Sequence, residues 1–527
     1  MIDHLFRNAT VIDGSGQRAW RGDVGVSAGR ISAVGSSLDE SAEHEHDLEG
    51  LVLAPGFIDI HTHTDYIQFA EPRSLSKLRD GVTTEVSGNC GFSAFPLSEE
   101  LRKRESERWN PVGVQVDWTD FRGYKQRLEA RGTAINRLFY VGHGFLRACV
   151  VGQGNRLATE VEMTRMKQLL AREMDAGAIG LSTGLIYSPG CYAKRDELAE
   201  LCGVVAKRGG LYASHMRGEG ATLLDAIEET LWICQESGVR TQISHLKASR
   251  PENWPKLDRA FAMIEYARSE GLPVMADRYP YDATSTGLDQ LLPDWAYEGG
   301  VEAELKRLRE PSSVEKILAS MATRFDDDYY GRVLIAGAEG RPELDGRRLT
   351  EVAAERGLDP ARAAVQVLLE TRGQCECVFF VLSEQNMRRV LSKDYVMVAS
   401  DAESRATEGP ASAGKPHPRA YGTFARVLGR LSRDEGLLPL ELAVHKMTAL
   451  PARQLGLADR GVVASGMVAD LTVFDPERVL DRATYVEPHH YSDGIVHVMV
   501  GGRFALESGK VTEELPGRVL SPRIVPK

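Results

Sequence analysis

No stretch of this 527-residue sequence approaches the ~20 consecutive apolar residues that span a bilayer, so no membrane-embedded segment is expected. Positive charge is also short. The formal net charge is −11 and no Lys/Arg block stands out, which argues against nucleic acid, whose phosphates call for a clustered positive surface. The first residues, MIDHLFRNATVIDGSG, lack a basic segment followed by an apolar one, so no secretory leader is read there and a cytoplasmic protein is expected. Cysteine is scarce. Seven cysteines, an odd number at irregular spacing, fit reduced thiols better than a disulfide framework. Cys375 and Cys377 form C-x-C with no second pair nearby and read as strand thiols.

What remains is the composition of a soluble globular protein, 43% hydrophobic and 26% charged, in a chain too long for one simple core. The first fifty residues alternate short apolar runs with Gly-containing turns, as in DVGVSAGRISAVG. The same texture returns in GVVASGMVADLTVFD and IVHVMVGGRFALESGKVT. Both read as small antiparallel strands, and one β-sandwich domain built from residues 1–56 and 464–527 accounts for them. Between them, residues 57–463 alternate short apolar strands with amphipathic helices. Eight such strands are readable: GFIDIHTH, VTTEVSG, RLFYVGHG, AIGLSTG, GLYASHM, TQISHLK, VMADRYPY and VMVASDA. The expected fold class is α/β, a distorted (β/α)8 TIM-like barrel. Residues 286–345 break the rhythm and read as a small insert, with a helix at VEKILASMATRF; residues 99–122 read as an inserted polar loop.

A barrel of this kind places its chemistry at the C-terminal ends of its strands. There the sequence sets His61-Thr62-His63 (first strand), Cys90 (second), His215 (fifth), His245 (sixth) and Asp401 (eighth). All are metal-ligand types. Residues two apart on a strand point the same way, so His61 and His63 can face one cation, and mixed His, carboxylate and thiolate ligation suits Zn²⁺. Singly, each has a plainer reading: a lone histidine is more often a hydrogen-bonded structural residue, and a buried cysteine a small filler. Their shared structural position strengthens the set. Cys90, in SGNCGFSAFP, stays open between filler, nucleophile and ligand at this point. His44, His46, His489 and His490 read as solvated turn residues, and His143 as second to the site or structural.

APGFIDIHTHTD resembles the metal-binding signature of the amidohydrolase superfamily, and GVVASGMVADLTVFDP its closing β-domain. GVTTEVSGNCGFSAFP, GAIGLSTGLIYSPG, ISHLKA, YPYDATSTGLDQLLPDWA and HPRAYGTFARVLG together resemble the D-aminoacylases, the N-acyl-D-amino-acid deacylases, over nearly the whole chain. The resemblance implies hydrolysis of the amide of a small N-acyl-D-amino acid to a carboxylate and a free D-amino acid. It implies a tight zinc site at Cys90, His215 and His245. His61, His63 and Asp401 match a second, weaker metal position that Cys90 can share. Asp401 matches the catalytic carboxylate, acting as general base and acid. Lys247, Arg419, Tyr187 and Tyr281 are implied in the substrate pocket. Hydantoinase-like members bridge two metals through a carboxylated lysine on the fourth strand, but AIGLSTG has no lysine, which leaves Cys90 as the available anionic bridge.

The segment 404–420, rich in Gly, Pro and small residues, reads as a mobile loop bearing Arg419 over the site. An acidic substrate side chain would need a further cation. Arg250, Arg278 and Arg405 lie near motif positions, but a broad or apolar preference is the expectation. Two rivals are kept: a cyclic amidohydrolase acting on a hydantoin or dihydropyrimidine ring, and a non-catalytic scaffold related to dihydropyrimidinase. Assembly into a homo-oligomer is left open.

Overall fold

Short runs of small, β-branched and other apolar residues, each followed by a helical segment, cannot form a sheet with a solvated face; both faces must be covered, as in a doubly wound sheet or a closed barrel. The computed structural model describes residues 2–521. Eight strands form a ring: Phe57–Asp59, Val82–Ser87, Asn136–Phe139 continued by Val141–Gly142, Gly180–Gly184, Leu211–His215, Arg240–Ile243, Val274–Arg278 and Val396–Val398. Neighbours pair in parallel from the first strand to the eighth. The seam between eighth and first is closed by a parallel bridge of Thr62 to Ala402 and by Asp401 N–H donating to the His61 carbonyl at 2.9 Å. Ile58, Ile60, Val86, Leu138, Tyr140, Leu211, Ala213 and Met397 fill the interior. This is the distorted (β/α)8 barrel expected from the strand pattern.

Helices form where the apolar spacing turns helical. In Glu160–Asp175, Met163, Met166, Leu170 and Met174 make the buried stripe, and Thr159 with Glu162 closes a capping box at its start. Residues 99–122 are not simply a loop: Glu99–Trp109 is helical, with Ser98 accepting from the Leu101 N–H. Its surface is so polar that only Leu101 and Glu105 are buried, and no apolar stripe announces it.

The chain's two ends meet in one nine-stranded sheet, in which Leu471–Phe474 pairs antiparallel with Val52–Pro55. Its side chains alternate as period two requires. Val52, Ala54 and Phe474 pack with barrel-helix residues such as Phe424 and Leu428, while Leu53, Leu471 and Met499 join Phe6, Val24 and Ile31 in a separate core. Residues 516–520 lie elsewhere: Pro516 and Val519 bridge Thr133 and Arg137 at the start of the third barrel strand.

Between the seventh and eighth strands the chain builds a three-stranded antiparallel sheet, Thr284–Gly287, Val333–Ala338 and Cys375–Phe379, with Cys375–Phe379 in the middle. Helices Val301–Arg309, Pro311–Arg324, Leu349–Arg356 and Pro360–Glu370 accompany it, so this small unit draws strands from 284 to 379. Cys375 and Cys377 are buried free thiols on its central strand. Among the described residues, no helix is long and apolar enough to cross a membrane.

Candidate functional site

The polar strand ends converge at the barrel mouth. Cys90 Sγ lies 3.3 Å from His61 Nε2 and 3.6 Å from His245 Nε2. His245 Nε2 is 3.0 Å from His215 Nδ1. Asp401 Oδ1 is 3.2 Å from His61 Nε2 and 3.0 Å from His63 Nε2, and its Oδ2 pairs with Arg419 at 2.8 Å. Donor atoms of His61, Cys90, His245 and Asp401 all lie within 4.8 Å of one another, and those of His215, Glu219 and His245 form a second such group. The six ligand-type residues read from the strand ends thus form one connected set.

Local backbone geometry aims these side chains. Cys90 (φ 52°), His245 (φ 38°) and Asp401 (φ 51°) all occupy the left-handed region, a conformation that costs about 1–3 kcal/mol for a non-glycine residue and clusters at functional sites. Each lies two or three residues past the end of its strand and turns its side chain towards the other donors. Two glycines make the Cys90 turn fit. A Cβ on Gly184 would stand 2.0 Å from the Cys90 carbonyl oxygen, and one on Gly88 would stand 2.3 Å from the Tyr140 carbonyl oxygen.

Carboxylates absent from the sequence reading hold the imidazoles. Asp277, on the seventh strand, sits 3.2 Å from His61 Nδ1 and accepts the His245 backbone N–H at 2.8 Å. Glu219 lies 2.9 Å from His245 Nδ1 and 2.5 Å from Lys247 Nζ. Such carboxylate–imidazole contacts set ring orientation and leave the other nitrogen free to ligate. Glu219 follows His215 by four positions, a spacing that carries no signal once the strand has ended. Only its carboxylate type hinted at a role.

Charge is concentrated to match. Burial opposes ionisation of the Cys90 thiol, but His61, His215 and His245 outweigh it and hold the thiol well below its ordinary range. Burial likewise opposes the Asp401 carboxylate, while Arg419, His61 and His245 keep it well below the usual range. Against burial, Asp401 and Cys90 draw His63 up to about 10, and Glu219 and Asp401 help bring His245 to about 9. Thiolate and carboxylates pulling protons onto imidazoles mark a cavity that demands cationic charge, and the thiolate–imidazole–carboxylate donor set fits zinc.

The remaining sequence-read residues divide. Lys247 and Arg419 are buried beside the donors, both over the Tyr279 ring, at 5.8 Å and 4.6 Å. Tyr187 stands 5.2 Å from the His215 ring and its hydroxyl meets Thr286 at 3.0 Å. Tyr281 and Tyr279 both belong to the core cluster of the small inserted unit, Tyr281 lying under Arg426 and against His417. Of the two tyrosines in YPY, Tyr279 is the one facing the site cations. Burial would raise its pKa, but Lys247, Arg278 and Arg419 together lower it.

His143 is buried in an ionic knot, its Nε2 2.9 Å from Glu197, which also binds Arg147. Arg250 pairs with Glu252 and stacks on Phe325 and Tyr329, Arg405 pairs with Glu403, and Arg278 donates to the Tyr281 carbonyl. His44 and His46 sit on a strand rather than in a turn, and His46 is half-buried among rings. The 404–420 segment is tied down. Ser404 N–H binds Thr64, Lys415 N–H the Ala336 carbonyl, and His417 Nε2 the Ala283 carbonyl, while Arg419 opens the helix that follows. Its backbone polar groups find partners on the barrel and on the small sheet, which composition alone does not disclose.

Residues 44–505 match the amidohydrolase family model. A D-aminoacylase of Alcaligenes xylosoxydans xylosoxydans is 37% identical over 99% of this chain and 98% of its own length. An N-acyl-D-aspartate deacylase of the same organism is 36% identical over 99% and 95%. The structure superposes on an N-acyl-D-glutamate deacylase from Bordetella bronchiseptica, complexed with zinc and a phosphonate mimic of the tetrahedral intermediate, with a TM-score of 0.84, 34% identity and 99% coverage of both chains.

Proposed function

The chain belongs to the amidohydrolase family, at its D-aminoacylase branch, and from that premise we propose that it hydrolyses small N-acyl-D-amino acids to a carboxylate and a free D-amino acid with zinc as cofactor. The placement of Asp401 carries this reading: one oxygen meets His61 and His63 within the donor set, the other meets Arg419. A carboxylate so held touches both the metal position and the cation suited to an α-carboxylate.

Cys90, His215 and His245 would hold the tight zinc, and His61, His63 and Asp401 with the Cys90 thiolate would offer the weaker second position. Bound there, zinc would supply activation of water towards a pKa of ~7 and polarisation of the scissile carbonyl. Asp401 takes the proton of the attacking water and hands it to the leaving nitrogen, which cannot depart as an anion. Arg419 and Lys247, both over the Tyr279 ring, hold the substrate's α-carboxylate. The Arg419 fork suits this because its Nε has no hydrogen-bond partner in the protein. The walls support a broad or apolar side-chain preference: Phe92, 42% exposed, stands 5.2 Å from Tyr187.

The cyclic-amide alternative lacks its bridging lysine, since the fourth strand ends in Ser182, Thr183 and Gly184. The scaffold alternative does not account for a complete donor set. A panel of N-acetyl-D- and N-acetyl-L-amino acids, assayed for free amine, tests the reading. Release from the D series alone is expected. Equal rates on both series would remove the stereochemical assignment, and activity only on hydantoins would replace the linear substrate.

A further inference from the structure

A second set of imidazoles lies on the terminal sheet, away from the barrel strands. His4 is on the strand Ile2–Val11, and His44 and His46 are on Ala42–Asp47. The two strands run parallel, with His4 opposite His44 and Phe6 opposite His46. Residues two apart on a strand share a face, so all three imidazoles project from the same side of the sheet. The His4 and His44 rings stack with centroids 5.2 Å apart, and His4 Nδ1 stands 3.1 Å from His46 Nε2. His497, on the strand Ile495–Val500, follows at 6.1 Å from His46. Phe504 lies edge-on to His4 and His46, at 5.2 Å and 5.3 Å.

The 3.1 Å between the two nitrogens matches the spacing of cis donors, which with metal–nitrogen bonds of about 2.0–2.1 Å stand about 2.9–3.4 Å apart; the ring centroids, 5.3 Å apart, set the nitrogens nearly head-on, so chelation requires both rings to swing towards a shared ion. We propose that His4 and His46, with His44 as third ligand, form a surface site for an imidazole-preferring divalent transition metal such as Cu²⁺, Ni²⁺ or Zn²⁺. The His44 ring is open to solvent and stacks on His4, and a rotation of its side chain is required for it to serve as third ligand. Burial together with the neighbouring imidazoles lowers the pKa of His4 and of His46. Asp3, Glu43 and Glu507 surround His4 with negative potential that favours a cation. The strand Ala42–Asp47 pairs in the sheet only with the first strand, so a metal held by both pins it in place. The site is independent of the hydrolytic reading.

The test compares wild type, His46→Gln and His44→Ala as full-length enzymes already loaded with catalytic zinc. Each is dialysed against Ni²⁺ and counted for nickel per chain, and each is also titrated with Cu²⁺ under electron paramagnetic resonance. Wild type is expected to take up roughly one more equivalent than His46→Gln at equal amidase activity, with nitrogen couplings in the copper spectrum. His44→Ala, at an exposed position that leaves folding intact, is expected to bind about tenfold more weakly. Equal nickel content in wild type and His46→Gln overturns the site and leaves an imidazole–imidazole hydrogen bond. Unchanged affinity in His44→Ala overturns the third ligand.

Discussion

Cys90 shows how much one side chain does at the mouth of this barrel. It contacts His61 and His245, the neighbouring imidazoles hold its pKa well below the ordinary thiol range against burial, and its left-handed backbone points it at the other donors. A serine there keeps the size and loses the soft anionic ligand. Cys90→Ser should therefore lose zinc affinity and activity together, each by about 10–100-fold or more. Metal analysis alongside amide hydrolysis checks this, and a zinc-replete, fully active variant would return Cys90 to a filler. Its ligand type and strand-end position were legible in the sequence, as were those of the histidines and Asp401. Glu219, Asp277 and Tyr279 were not. Carboxylates that brace a ligand through space have no fixed offset from it, and YPY does not say which ring faces inward.

At the scale of elements, the ligand turns are packed backbone against backbone. Gly184 closes the fourth strand against the Cys90 carbonyl, leaving no space for a methyl group. Gly184→Ala should displace the Cys90 turn and lower zinc affinity while the barrel still folds, seen as reduced zinc content with an unchanged circular dichroism spectrum; full zinc retention would show that the turn is free to move. The helix Val301–Arg309 carries a second consequence. Glu304 is buried with Oε1 unpartnered, and burial, aided by Asp289, raises its pKa to about 8. Between its unfolded value and that one, the folded chain holds a proton that the unfolded chain has lost. The contribution of this carboxyl is therefore full below about 4.5 and falls as pH rises, reaching its minimum above about 8. Glu304→Gln removes the titration. Its melting temperature should lose less than wild type between pH 6 and pH 9, a relative gain of on the order of 1–3 kcal/mol at pH 9. Parallel melting curves of the two proteins across that range would contradict it.

At the scale of the molecule, the termini bind the structure together. The last described residues lie along the third barrel strand, where Arg137 N–H donates to the Arg518 carbonyl and Leu520 N–H to the Arg137 carbonyl, both at 2.8–2.9 Å. Truncation after Leu515 leaves those groups of Arg137 and Thr133 without partners at the base of the barrel. The expected result is a fall of several degrees in melting temperature with the substrate preference unchanged. An unaltered melting temperature would mean that the tail only rests there.

The sequence by itself determined the barrel and the reach of its chemistry, because eight apolar strands ending in ligand types encode both fold and site through local pattern. It also showed the two β-rich ends to be alike in texture. Only the tertiary structure decided which carboxylates brace the imidazoles, which tyrosine meets Arg419, and that the 404–420 segment is fastened. Those outcomes depend on backbone groups and side chains brought together from distant parts of the chain, and no local periodicity records them.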